Sequence, residues 1–330
     1  MSGQKLLAYA CGEDERQRYD RFAPEYGFEV TCVPERPLPE NACWARGYDC
    51  VAIAAAKAIT REMIDEYLAG GVRLLSSRAI GVDNIDFAYA KQVGLPVTRN
   101  TYSAASVADY AVMLALMVTR HTKAALLRNV GQDYNFEPFR GRELHTMTVG
   151  IVGTGNIGTV AAQRFRAFGS RVLAWSRHEN PALKEIVAYA PLEQLLAESD
   201  LVSLHLTSTP ETYHFLNGET IGKMKPGAFV VNTARGDLIE TMALVEALER
   251  GHLAGAALDV FEGDRGVYYL DHCNQVMGQR ELAILNAMPN VIMTPHLAFW
   301  TDTAADDMVR NSLRAARQVF DGEECSLLVK

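Results

Sequence analysis

Four short segments of this 330-residue chain combine residue types and spacings that could do chemistry. The first is Gly153-Thr-Gly155-Asn156-Ile157-Gly158, which ends the β-like run 148–153 and leads into a helix-patterned stretch at 159–168. A G-x-G-x-x-G set between strand and helix can cradle the pyrophosphate of a dinucleotide. The first glycine permits the tight turn, the second lets backbone approach the phosphates, and the third allows close helix–strand packing. The helix N-terminus adds unpaired N–H groups and the positive end of a dipole. The other three segments each carry a reactive side chain just past a β-like run. They are Asn232-Thr233-Ala234-Arg235-Gly236, Asp259-Val-Phe-Glu262-Gly-Asp264 and Pro295-His296-Leu-Ala-Phe299-Trp300. In open α/β sheets ligands lie outside the carboxyl ends of the strands, so these segments are expected to converge on one site.

The strand after the glycine loop should end in an acid that binds the adenosine ribose hydroxyls, roughly 20 residues on. Here that end reads Trp175-Ser176-Arg177-His178, with Ser176 at the acid's place. Without a carboxylate to repel a 2′-phosphate, and with Arg177 to pair with one, NADP(H) is favoured over NAD(H), and NADH can still bind.

Positioning these groups requires parallel sheets. In the first hundred residues the β-like runs 5–9, 29–33, 50–54, 72–76 and 95–99 alternate with helical patterns at 13–26, 60–70 and 86–93. A long amphipathic helix is expected over 103–120. A second alternating series follows at 148–153, 171–174, 201–206, 228–232 and 255–259, and 304–320 reads as a final helix. Alternation of this kind predicts α/β architecture: two doubly wound parallel-sheet domains with a cleft between them. Periodicity does not say which domain the last helix joins.

A net charge of -8 argues against a nucleic-acid partner, which needs clustered Lys and Arg. No apolar run reaches the ~20 residues of a membrane span, and the first residues lack a signal-peptide pattern. The six cysteines form no C-x-x-C pair and read as reduced thiols, so a cytoplasmic location without a metal site is expected.

The chain resembles the D-isomer-specific 2-hydroxyacid dehydrogenases. The matching stretches are Ser77-Arg-Ala79-Ile80-Gly81-Val-Asp-Asn-Ile-Asp86, Tyr102-Ser-Ala-Ala-Ser-Val-Ala-Asp109, the glycine loop, Asn232–Gly236, Ala257–Asp264 and Pro295–Trp300. Within the family it is most similar to D-lactate dehydrogenases of the vancomycin-resistance type. The resemblance implies a flavodoxin-like substrate domain from both chain ends (1–101 and 299–330), a Rossmann domain (102–298) and a homodimer. It implies reduction of a small 2-oxo acid, most simply pyruvate to D-lactate. His296 would then be the general acid, since imidazole titrates near neutral pH. Arg235 would pair with the substrate carboxylate, beside backbone N–H groups of Ala79, Ile80 and Gly81. Thr233, Ala234 and Asp259 would meet the cofactor, Asp259 at the nicotinamide carboxamide. Tyr102 and Phe299 would line the pocket, although as aromatics they could equally be core packing, as could Trp300.

One departure matters. The family has Glu where this chain has Asp264, which costs about 1.5 Å of reach. Either the backbone compensates, or a water bridges Asp264 to His296, or Glu262 takes part. His145, His205 and His214 read as structural, Asp302, Asp306 and Asp307 as the first turn and solvated face of the last helix, and Asp271-His-Cys273 as a loop. The alternatives are a hydroxypyruvate, glyoxylate, branched or aromatic 2-oxo acid reductase, or a dinucleotide-sensing binding protein of the same fold.

Overall fold

The computed structural model describes residues 3–54, 58–264 and 266–330. The chain divides into two compact units, one taking residues up to Ser103 and again from Trp300, the other running from Ala104 to Phe299.

The first unit is built on β1 (Gln4–Ala8), β2 (Phe28–Cys32), β3 (Cys50–Ile53), β4 (Leu74–Ser77) and β5 (Val97–Thr98). All pair in parallel, in the order β2-β1-β3-β4-β5, the flavodoxin-like arrangement. Both faces of the sheet are covered, so successive strand residues are apolar rather than alternating. Leu7 joins one core, while Leu6 and Ala8 join the other. The covering helices are α1 (Glu13–Phe22), α2 (Arg61–Ala69) and α3 (Phe87–Gln92). The helical pattern at 13–26 divides in two because Pro24 has no N–H to continue α1. Ala23–Tyr26 tightens into a 3-10 turn, closed by Gly27 at φ 71°.

The second unit begins with α4 (Ala104–Thr119) and α5 (Thr122–Val130). Then follow β6 (Thr148–Val152), α6 (Asn156–Ala167), β7 (Arg171–Trp175), β8 (Ala188–Tyr189), α7 (Leu192–Glu198) and β9 (Leu201–Leu204). After these come α8 (Gly218–Gly222), β10 (Ala228–Asn232), α9 (Thr241–Glu249), β11 (Leu253–Leu258), α10 (Arg280–Ala287) and β12 (Val291–Met293). The seven strands are parallel, in the order β8-β7-β6-β9-β10-β11-β12. This is the Rossmann order with one strand added beyond the sixth. Val149 and Ile151 of β6 enter the core under α4 and α6, and Val152 enters the one on the opposite face. The order reverses between β6 and β9, so the ends of β6, β9, β10, β11 and β12 mark where a ligand belongs.

The last helix, α11 (Asp302–Asp321), belongs to the first unit. Val309, Leu313 and Ala316 share a core with Leu6 and Ala8. Ser312 Oγ lies 2.7 Å from Ser76 Oγ, and Asn100 Nδ2 donates to the Met308 carbonyl. The helix starts at Asp302 because Thr301 caps it, accepting from the Ala304 N–H. Two of its acids are not simply solvated, as the sequence suggests. Asp306 pairs with Arg18 at 2.9 Å, and Asp307 accepts from the Ser103 N–H. Among the described residues no helix is long and apolar enough to cross a membrane.

Candidate active site

Helix α6 starts inside the glycine motif, three residues earlier than the hydrophobic pattern suggests, with Gly155 as its N-cap. Gly153 has φ +96°, and a Cβ there would lie 2.7 Å from the His205 carbonyl oxygen. A Cβ on Gly158 would sit 1.9 Å from the Gly153 carbonyl oxygen. On Gly155 it would meet nothing within 4 Å, and Gly155 and Asn156 are exposed, with Ile157 half-buried. Two glycines thus pack the turn, while the middle one faces open space in front of a helix N-terminus. That is the shape a pyrophosphate requires.

A polar network missed at the sequence level braces this loop. Tyr189 on β8 accepts the Asn180 N–H (2.8 Å) and donates to Thr154 Oγ1 (3.1 Å). Asn180 Nδ2 in turn donates to Thr159 Oγ1. No spacing rule links these four residues, and only the fold brings them together. Beyond β7, Ser176 is half-buried and Arg177 exposed. Glu211 is held below its ordinary pKa by a hydrogen bond from Thr209 first, with the Arg177 charge contributing less. His205 packs under the loop through its carbonyl. Its Nε2 lies 2.9 Å from Ser203 Oγ, and burial pushes its pKa down to about 4.

The ends of β10, β11 and β12 supply the second half of the site. After β10, Asn232 accepts the Ala234 N–H and donates to the Arg235 carbonyl, fixing the turn. Gly236 is required there, because a Cβ would lie 2.0 Å from the Phe261 backbone. The Thr233 hydroxyl is buried without a hydrogen-bond partner among the described residues, as a polar atom reserved for a ligand would be.

Asp259, fully buried past β11, accepts three hydrogen bonds from the turn after β12. They come from the Thr294 hydroxyl at 2.6 Å and from the Leu297 and Ala298 N–H groups at 2.9 Å. Its carbonyl also accepts the His296 N–H. The side chain expected at the nicotinamide carboxamide thus anchors the turn carrying His296, because a buried carboxylate must be satisfied where it lies.

His296 sits at φ +56°, a left-handed conformation held by those bonds. Its Nδ1 lies 3.8 Å from Asp264 Oδ2. That exceeds a hydrogen bond. Glu262 is engaged elsewhere, with its Oε1 2.8 Å from His214 Nε2 and 3.0 Å from the Tyr213 hydroxyl. Of the three ways to span the gap, Glu262 does not fit this geometry, leaving a shift of the backbone or a water bonded to both groups.

Burial raises the Asp264 pKa to about 6, opposed by Arg235 and assisted by Asp237. Burial lowers the His296 pKa to about 4, and the Arg235 charge adds to it. One guanidinium therefore acts on both groups, while each is driven toward its neutral form.

Ala79, Ile80 and Gly81 follow β4 in the first unit, where Tyr102 also lies, all half-buried. Their loop is pinned by Arg78, which the sequence reading overlooked. This buried arginine bonds Glu15 at 2.9 Å and donates to the carbonyls of Tyr9 and Ala10. Phe299 is half-buried in the second unit, its ring 6.1 Å from His296. Among the described residues no three His, Cys, Asp or Glu side chains gather as a metal site requires.

Comparison with known proteins agrees with this geometry. The family model described as "D-isomer specific 2-hydroxyacid dehydrogenase, NAD binding domain" matches residues 112–298. The chain is 38% identical to an "Aromatic 2-oxoacid reductase" of Clostridium sporogenes, over 94% of both chains. It is 37% identical to a "D-specific alpha-keto acid dehydrogenase" of Enterococcus faecium, over 95% of this chain and 96% of that one. Among solved structures, a D-lactate dehydrogenase of Treponema pallidum superposes with a TM-score of 0.90 at 33% identity, covering 99% of this chain and 100% of that one. Binding of a nicotinamide dinucleotide follows from the matched domain and the glycine loop together. The chain belongs to the D-isomer-specific 2-hydroxyacid dehydrogenase family.

Proposed function

We propose that this protein reduces a 2-oxo acid to the D-2-hydroxy acid, with pyruvate the first substrate to try. The observation that carries the reading is the grouping of Arg235, Asp264 and His296 on neighbouring strand ends, past the switch point that also holds the glycine loop. A bound nicotinamide supplies the hydride. Arg235 pairs with the substrate carboxylate and polarises the carbonyl. With Nδ1 toward Asp264, His296 presents Nε2 and delivers its proton to the carbonyl oxygen. Approach of the Asp264 carboxylate favours the imidazolium, and the negative charge of the substrate acts in the same direction. The family resemblance assigns the backbone N–H groups of 79–81 to the substrate carboxylate, and Tyr102 and Phe299 to its side chain.

For the cofactor, Gly153, Gly155, Asn156, Ile157 and Gly158 hold the pyrophosphate, and Thr233, Ala234 and Asp259 lie toward the nicotinamide end. Ser176 and the exposed Arg177 support NADP(H) as well as NAD(H). The test is the initial rate of NADPH and NADH oxidation, side by side, with pyruvate, 2-oxobutyrate and phenylpyruvate, followed by product chirality. Dinucleotide binding with negligible turnover on all three would transfer the reading to a dinucleotide-sensing protein.

The active form is a homodimer joined through α5. That helix buries no residue; its Leu126, Leu127 and Val130, with Tyr134 and Phe136 beyond its end, are 59–84% exposed. An apolar surface of that extent is suited to a second copy of the same face. All six cysteines are unpaired, which suits a reducing cytoplasm.

A further inference from the structure

We propose that Tyr269 is a positioning residue for His296, clamping its turn and shielding its imidazole from water. The inference rests on the proton-donor role of His296 but makes a separate claim, about the proton affinity of that one side chain.

Tyr269 lies in the loop between Asp264 and α10, outside every motif of the family resemblance. Its hydroxyl donates to the carbonyl of His296 itself, at 3.1 Å. Its ring centroid lies 5.7 Å from the imidazole, tilted by 35°. Phe299 also meets the imidazole edge-on, 6.1 Å from His296 and 6.5 Å from Tyr269. Two aromatic rings therefore border the imidazole, of which 29% remains exposed.

The backbone shows that this contact is enforced. Tyr269 has φ +64° and His296 has φ +56°, conformations that cost side-chain-bearing residues energy and persist only where surroundings hold them. The neighbouring Tyr268 turns inward against Phe261, in the small core with Val267 and Leu282. The left-handed step at Tyr269 sends its own side chain to His296 instead, although it is 47% exposed. The Tyr269 hydroxyl takes the carbonyl of His296, while the His296 N–H goes to the carbonyls of Asp259 and Thr294. The strained residue is thus gripped from both ends.

Four kinds of group face the imidazole. Asp264 approaches Nδ1, and the Arg235 charge disfavours protonation. Asp259 lies beneath the turn, and the Tyr269 and Phe299 rings exclude solvent. The rings act through desolvation, which favours neutral imidazole and makes its conjugate acid a stronger donor.

The experiment follows the ε1-carbon resonance of His296 in the full-length protein with labelled histidine, identified by its loss in His296→Gln. Wild type should titrate below the ordinary value of 6.5. In Tyr269→Ala the midpoint should rise by about one unit, a ten-fold change in proton affinity, as water reaches the ring. The alkaline fall of the reduction rate should move the same way. Tyr269→Phe keeps the ring and should leave the midpoint in place, while kcat falls roughly two- to ten-fold for one lost hydrogen bond. An unmoved midpoint in Tyr269→Ala overturns the shielding, and an unchanged kcat in Tyr269→Phe overturns the clamp. A midpoint that moves while the rate profile stays fixed upholds the shielding and removes His296 from the proton transfer.

Discussion

Replacing Asp264 with Asn is expected to stabilise the protein at neutral pH while slowing its reaction. The carboxyl is 18% exposed, and burial lifts its pKa from 3.8 to about 6. An acid whose folded pKa is raised adds stability that is complete below the unfolded value and is lost as pH rises through the folded one. The shift is about 2 units, so ionising Asp264 at pH 7.5 costs at most about 3 kcal/mol. Because the side chain keeps some contact with water, about 1–3 kcal/mol is the expected gain for a neutral amide of the same shape. Melting curves of wild type and Asp264→Asn between pH 4 and 8 measure it directly. The two should melt together near pH 4 and separate with rising pH, the variant ending ~3–8 °C higher. Over the same range kcat should fall at least ~10-fold, since an amide cannot balance an imidazolium. Parallel melting curves, with no divergence between pH 4 and 7, would refute the buried-charge reasoning whatever happened to the rate.

Three further outcomes test other parts of the site. Asp264→Glu adds up to ~1.5 Å of reach against a 3.8 Å gap. It should raise the proton affinity of His296 and carry the alkaline limb of the pH–rate profile upward, and an unmoved limb would remove Asp264 as the partner. Gly236→Ala brings a Cβ within 2.0 Å of the Phe261 backbone, forcing the ends of β10 and β11 apart. Turnover should drop more than ~10-fold while dinucleotide affinity, set by the loop at Gly153, changes little, and full activity would show that those ends need not meet so closely. Val130→Glu places a charge on the most exposed residue of the α5 apolar surface, 84% accessible. Sedimentation should find monomers for the variant and dimers for wild type, and a dimeric variant would move the interface elsewhere.

Much of this protein can be read from local chemistry. Parallel strands buried on both faces need near-continuous apolar runs, so β1, β3, β6, β9 and β10 are visible as such in the sequence. The glycines at 153, 155 and 158 are legible because a phosphate-binding turn tolerates almost no other residue at that spacing. Arg235, Asp264 and His296 stand out as reactive groups directly after apolar runs. Elements whose reason is long-range are harder to find. The two-residue β8 has no periodicity to detect, yet its Tyr189 braces the phosphate loop. The register of α6 depended on Gly155 serving as the cap, while its hydrophobic pattern starts later.

Other assignments existed only in three dimensions. Asp259 was a carboxylate past a strand end in the sequence, and the fold turned it under the His296 turn, where three donors await it. Glu262 and Asp264 are two residues apart and chemically alike. The left-handed turn at Gly263 (φ +89°) separates them, delivering one to His214 and Tyr213 and the other toward His296. Tyr269 sits among ordinary neighbours, and nothing in its local sequence marks it, while Arg78 lies in a recognisable stretch whose pattern does not name Glu15 as its partner. The chain itself determined which residue types were available and which runs could pack. The folded structure decided their partners, because hydrogen bonds, desolvation and charge act over a few ångströms in space, whatever the separation along the chain.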